Sequence, residues 1–275
     1  MQPELVLNLF GAEVQIRAYT LFTILGALTG TALALPLLKK AGLSARRALG
    51  LLTLLAGAFL VGARLFNYLI NPAAYGGALK LYSLRLAGFS LYGGIIAILA
   101  VILLWTYLAR VNVWPLLDAL VLPGALAFAL ARVGCYLNGC CIGKAAAGSF
   151  LGANFPLTEQ GQELVREILP FLGESITTVS LYPTQLFELA LALLGLLPVL
   201  WFYFQRRWPA GAAFLLYSVW FSALRLLVLP WRSLPYPGAV TGIFYPLFYS
   251  GLILGGLYLL KKLFKDDKLG GTERD

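Results

Sequence analysis

The chain has 275 residues; 60% are hydrophobic and only 12% charged, with 21 Lys and Arg against 12 Asp and Glu and no His. Water-soluble domains carry about 25% charged and about 45–50% apolar residues, so this balance, with a mean hydropathy of +0.82, excludes a soluble enzyme, a disordered chain and a disulfide scaffold. The lack of histidine removes any imidazole base, triad or metal ligand, and the net charge of +9 does not read as nucleic-acid binding, because the basic residues sit at the ends of apolar runs.

In chain order, the first 16 residues contain Glu4 and Glu13 and no basic segment before an apolar core. The first helix is therefore expected to serve as its own insertion signal. A membrane-crossing helix needs about 20 mostly apolar residues. Seven runs qualify: about 18–38, 48–70, 88–108, 115–135, 184–205, 210–230 and 240–262. The ~10-residue alternating segments of a β-barrel are not seen. The expected fold is an all-α polytopic membrane protein. It has one seven-helix domain over 1–264 and a disordered cytoplasmic tail over 265–275.

Basic residues set the expected orientation. Lys39, Lys40, Arg46 and Arg47 lie between runs one and two, Arg110 between three and four, and Arg206 and Arg207 between five and six. Lys261, Lys262, Lys265, Lys268 and Arg274 follow run seven. These are alternate loops plus the C-terminus, and the excess of Lys and Arg belongs in the cytoplasm. With seven spans, the N-terminus lies outside. Two longer outer-face segments remain, about 71–87 and 136–183; the second is locally acidic and expected to be partly helical.

Charge at membrane depth is costly and usually faces an internal cavity. Arg64, Arg132, Glu188 and Arg225 come from four different runs, and the orientation above places all of them in the outer half of the membrane. Such a cluster is net positive and suits an anion. At an outer leaflet that anion is a phospholipid headgroup, which arginine binds through its planar fork. The alternative is that each arginine snorkels to the interface or ties structurally to Glu188. Asp118, near the cytoplasmic face, reads as a helix-start residue.

The segment from Arg132 to Lys144 is the densest in polar chemistry. Its glycines Gly134, Gly139 and Gly143 let a helix end break so that backbone N–H groups can face a ligand, and Asn138 can bond a phosphate or glycerol oxygen. Cys135, Cys140 and Cys141 are open to several readings. They can be small buried apolar residues, a disulfide in an oxidising compartment, or a thiolate activated by Arg132 and Lys144. Their spacing does not resemble that of a metal site, and no histidine supplies a further ligand.

Over most of its length the sequence resembles the prolipoprotein diacylglyceryl transferases, seven-span enzymes of the bacterial inner membrane. The resemblance rests on Gly62-Ala63-Arg64, on Tyr92-Gly93-Gly94, on Arg132 to Lys144, on Tyr182-Pro183-Thr184-Gln185-Leu186-Phe187-Glu188 and on the Arg225 run. It implies transfer of diacylglyceryl from phosphatidylglycerol to a lipobox cysteine thiol of a pre-lipoprotein, with release of glycerol phosphate. It implies catalytic roles for Arg132, Arg225, Tyr92 and Tyr19. It implies substrate binding by Arg64, Gly93, Gly94, Cys135, Asn138, Cys140, Gly143, Gln185 and Glu188. No cofactor or metal is implied. The partners are the membrane, its anionic phospholipid and a lipobox peptide, without nucleic acid.

The chain also departs from that family. Tyr92 stands where the family has a histidine, Cys135 where it has an asparagine and Cys140 where it has an acidic residue. Leu229 stands where a glutamate follows the second arginine, and Tyr182 where a histidine often precedes Pro183. Two alternatives follow: a paralogue with the same donor and a different acceptor, or a lipid-binding or transport protein without catalysis. A third gives the cysteines a redox or acceptor role.

Overall fold

A computed structural model describes residues 4–9, 12–70, 72, 89–146, 148–156, 178–205, 208–234 and 238–272. The outer segment expected over 71–87 lies outside these residues except for Pro72, as does 157–177 of the second one.

The described residues begin with a hairpin, an element absent from the helical expectation. Strand β1 (Glu4–Leu9) pairs antiparallel with β2 (Ala12–Arg17), with Glu4 opposite Arg17. The second strand carries the clearer signal, Val14 and Ile16 alternating with Glu13, Gln15 and Arg17. Helices α1 (Ala18–Lys40), α2 (Ala45–Ile70), α3 (Leu91–Ala109) and α4 (Val113–Leu137) follow. A second hairpin joins β3 (Ala153–Pro156) to β4 (Thr178–Leu181). Then come α5 (Thr184–Leu194), α6 (Leu196–Gln205) and α7 (Ala212–Val228) with a 3-10 turn at Leu229–Trp231. A π turn at Val240–Phe244 leads into α8 (Tyr245–Thr272).

Among the described residues, seven segments are long and apolar enough to cross a membrane: Ala18–Lys40, Ala45–Ile70, Leu91–Ala109, Val113–Leu137, Thr184–Tyr203, Ala212–Trp231 and Val240–Asp267. The chain is a multi-pass membrane protein. Large apolar side chains such as Leu247, Leu254 and Tyr258 face outward, as lipid contact requires.

Two local features depart from uniform helices. The fifth span breaks at Gly195 because Pro198 has no N–H to offer the carbonyl of Leu194. Trp220 fills the break: its indole lies where a Cβ of residue 195 would sit, and its Nε1–H donates to the Leu191 carbonyl at 2.7 Å. The last helix continues to Thr272, which corrects the expectation of a disordered tail over 265–272. Lys262 and Asp266 stand four residues apart there, a spacing that supports a helix.

α1 packs on α4, α2 on α3, α5 on α4 and α8 on α7. Small residues permit the close approaches. Gly26 and Gly30 of α1 lie against Ala127 of α4, where a Cβ on Gly26 would come within 2.9 Å of the Ala127 carbonyl oxygen. This is the small-xxx-small packing of helices in lipid. The main apolar core, with Leu38, Leu51, Ile102 and Leu116, gathers at one end of the bundle. Because successive spans alternate in direction, the start of α1, α3 and α5 and the end of α2, α4 and α7 meet at the other end.

Asp118 serves a structural role, but for a different helix from its own. Its carboxylate accepts from the N–H groups of Gly211 at 2.6 Å and Phe214 at 2.8 Å, capping α7, and its own carbonyl accepts from the Tyr203 hydroxyl. Losing a cap costs about 0.5–2 kcal/mol, and leaving a buried donor unsatisfied costs about 1–3 kcal/mol. Asp118→Ala is therefore expected to lower the thermal unfolding midpoint of the detergent-solubilised protein, and Asp118→Asn to lower it less. An unchanged midpoint in Asp118→Ala would overturn the capping role.

Candidate active site

Glu188, one turn into α5, is fully buried and stands at the centre of three guanidiniums. Arg132, late in α4, reaches its Oε2 through Nε at 2.9 Å. Arg225, late in α7, donates to Oε1 at 2.5 Å. Arg232, just past the 3-10 turn, also donates to Oε1. Three guanidiniums against one carboxylate leave two positive charges in excess. The Nε–H groups of Arg225 and Arg232 are buried with no hydrogen-bond partner among the described residues. A buried donor left unpaired is costly; a bound anion would satisfy both.

Arg232 replaces an expected member of this cluster. Arg64, expected with Arg132 and Arg225, is buried on α2 with its guanidinium 4.9 Å from the Phe89 ring centroid. Arg232 lies beyond the apolar run and was passed over. It reaches the cluster from extended backbone after the 3-10 turn that ends α7, so helical periodicity gives no signal for it.

Aromatic rings wall the cluster. The Arg132 guanidinium lies 4.7 Å from the Phe128 centroid and that of Arg225 lies 5.7 Å from the Tyr92 centroid. Tyr92 is itself buried and packs edge-on to Phe248 and beside Tyr249, each at 5.4 Å between centroids. Gly93 and Gly94 lie in the α2–α3 seam: a Cβ on Gly93 would lie 2.4 Å from the Gly62 carbonyl oxygen, and one on Gly94 would lie 2.3 Å from the Phe59 ring. Their role is to let α3 approach α2, which places Tyr92 beside Arg225.

The loop after α4 is pinned to the start of α5. Gln185 donates to the Cys140 carbonyl at 2.6 Å, and the Thr184 hydroxyl donates to the Cys141 carbonyl at 3.0 Å. Both side chains are buried. Gln185 thus holds the loop. Asn138 caps α4, and the Cys140 thiol donates to the Cys135 carbonyl at 3.7 Å. Cys135, Cys140 and Cys141 are free thiols. Tyr19, at the start of α1, lies within electrostatic range of all three. Outside the span, the Cys141 thiol is held well below the usual thiol range by hydrogen bonds with Cys135 and Cys140, aided by Arg132 and Arg232.

Gly143 ties three segments together. Its N–H donates to the Tyr182 carbonyl at 2.9 Å and the next N–H, of Lys144, donates to the Trp231 carbonyl at 2.8 Å. A Cβ at residue 143 would lie 2.5 Å from the Tyr182 carbonyl oxygen and 2.6 Å from that of Trp231. This crossing sets the position of Arg232 relative to Glu188. Gly143→Ala is expected to cost about 1–3 kcal/mol through overpacking, read as a lower unfolding midpoint. Wild-type stability in that variant would show that the crossing can relax.

Among known proteins, the family model described as prolipoprotein diacylglyceryl transferase matches residues 5–261. The phosphatidylglycerol–prolipoprotein diacylglyceryl transferase 2 of Clostridium perfringens is 34% identical over 179 residues, covering 65% of this chain and 63% of that protein. The phosphatidylglycerol–prolipoprotein diacylglyceryl transferases of Rhodopirellula baltica and Dechloromonas aromatica are 28% and 26% identical over 176 and 170 residues. Those matches cover 60% and 61% of this chain and 35% and 59% of the two relatives. The chain thus spans less than two thirds of the length of these relatives. Seven membrane-crossing segments, the buried arginines of the Arg132-to-Gly143 and Arg225 regions, and a family match over nearly the whole chain agree: the chain belongs to the prolipoprotein diacylglyceryl transferase family.

Proposed function

We propose that this chain is a diacylglyceryl transferase of the bacterial inner membrane, with its N-terminus outside. It takes diacylglyceryl from phosphatidylglycerol and delivers it to the lipobox cysteine of a pre-lipoprotein. The observation that carries this reading is the buried cluster of Arg132, Arg225 and Arg232 on one carboxylate, with two positive charges in excess and two unpaired donors. A phosphodiester supplies one negative charge and several acceptor oxygens, and guanidiniums bind such oxygens in pairs. The leaving phosphate gains a second negative charge as the reaction proceeds.

In the reaction the acceptor sulfur attacks the glyceryl carbon that carries the phosphate oxygen. A C–S bond forms and the C–O bond breaks with its electron pair passing to that oxygen. Glycerol phosphate departs, and the thiol proton passes to solvent or to the phosphate. The arginines favour the transition state because charge grows on the oxygens they face. Their field also favours the thiolate of an approaching cysteine, which eases the demand for a histidine base. That help matters because Tyr92 occupies the position where the family carries one. An apolar groove of about 270 Å³, lined by Leu191, Trp220, Ala223, Leu224 and Leu227, lies between α5 and α7. Acyl chains are the chemistry such an apolar groove would take.

The test is a reconstituted assay with headgroup-labelled phosphatidylglycerol and a lipobox peptide, alongside the same peptide carrying serine for cysteine. Release of labelled glycerol phosphate together with a thioether on the cysteine peptide alone is the expected result. Release with neither peptide modified would assign a different acceptor. No release, with lipid still bound, would replace the enzyme reading by lipid binding.

A further inference from the structure

The sequence spacing of the three cysteines argued against a metal site, but the fold brings them together. The sulfurs of Cys135, Cys140 and Cys141 all lie within 4.8 Å of one another. Cys135 sits in the last turn of α4 and the other two follow the helix end. Two left-handed residues turn the chain back: Gly139 at φ +67° and Cys141 at φ +57°. The second is costly for a residue with a side chain and persists only where the surroundings impose it. Those surroundings are visible. The Cys140 N–H closes on the Cys135 carbonyl at 3.1 Å, and Gln185 and Thr184 hold the carbonyls of Cys140 and Cys141.

Donor type, distance and charge then point to one class of ligand. Zinc–sulfur bonds are about 2.3 Å, so three thiolates on one face of a tetrahedral ion stand ~3.8 Å apart. The three sulfurs need to close by no more than about 1 Å to reach that spacing. Sulfur ligands select soft cations and reject magnesium or calcium. A three-thiolate complex of Zn(II) carries one negative charge and that of Cu(I) carries two. Arg132 and Arg232, in electrostatic contact with Cys141, stand ready to balance that charge. Cys141 is exposed, which gives an ion a route from solution.

We propose that Cys135, Cys140 and Cys141 form a three-thiolate site for a thiophilic d10 cation, Zn(II) or Cu(I). Binding forms metal–sulfur bonds, releases the thiol protons to solvent and changes no oxidation state. Metal binding needs neither lipid nor peptide, although Arg132 and Arg232 also belong to the proposed phosphate site.

The test uses the full chain in detergent, reduced with a phosphine and titrated with Co(II) alone. One equivalent is expected to produce sulfur-to-cobalt charge-transfer absorption, and Zn(II) is expected to displace it. The chain has three cysteines and no histidine, so that absorption has no other source. Zn(II) should also protect the three thiols from alkylation, read by mass spectrometry. Cys141→Ser is expected to weaken binding at least 10–100-fold, the size seen when only the support of a metal ligand is lost. Absence of the absorption in the reduced, folded wild-type protein would overturn the proposal. So would absorption or protection that survives serine at all three positions.

Discussion

Glu188→Gln is expected to cost the folded chain about 3–5 kcal/mol, the usual penalty for removing one partner of a buried ion pair, and to abolish transfer. The carboxylate is fully buried and holds Arg132, Arg225 and Arg232 at once. Glutamine keeps the shape but removes the charge, leaving three guanidiniums with no counter-ion at membrane depth, where an unpaired charge is hardest to keep. The measurement is thermal unfolding in detergent, with and without added anionic phospholipid. Lipid phosphate should recover part of the lost stability, since it supplies the missing negative charge. A Glu188→Gln protein as stable as wild type would show that the arginines are solvated, and the anion-site reading would fall with it.

Arg132→Ala, Arg225→Ala and Arg232→Ala are each expected to lower kcat for glycerol phosphate release by about 10²–10³-fold, the range for losing one preorganised donor to a developing oxyanion. The loss should fall on kcat more than on KM, because the charge that these residues meet grows toward the transition state. Lysine should restore little at any of the three positions, since a point charge does not reproduce the paired donors of a guanidinium. Arg232 is the discriminating case. Its guanidinium donates to Glu188, so a purely structural role as partner of that carboxylate would lower stability and leave kcat of the folded fraction intact. A kcat near wild type in Arg232→Ala would remove it from the phosphate site.

The sequence by itself determined the class of fold and the number of spans. Both follow from solvent: in lipid, apolar runs of about 20 residues must form helices because no water satisfies the backbone. The runs about 18–38 and 184–205 became Ala18–Lys40 and Thr184–Tyr203 with little change at either end. Arg132, Arg225 and Glu188 were legible for the same reason, as charges where lipid makes charge costly. Tertiary structure decided which of the charges meet. Hydropathy singled out Arg64, within an apolar run, and not Arg232, beyond one. The packing of α4, α5 and α7 and the crossing at Gly143 selected Arg232, while the Gly62–Gly93 seam tied Arg64's helix to α3. The thiol cluster was likewise illegible, since cysteines five and six residues apart converge only where a helix ends and the chain turns back through left-handed residues. Periodicity and hydropathy describe each segment against its solvent. Partner choice among buried polar groups depends on close approaches between segments, which those patterns do not encode.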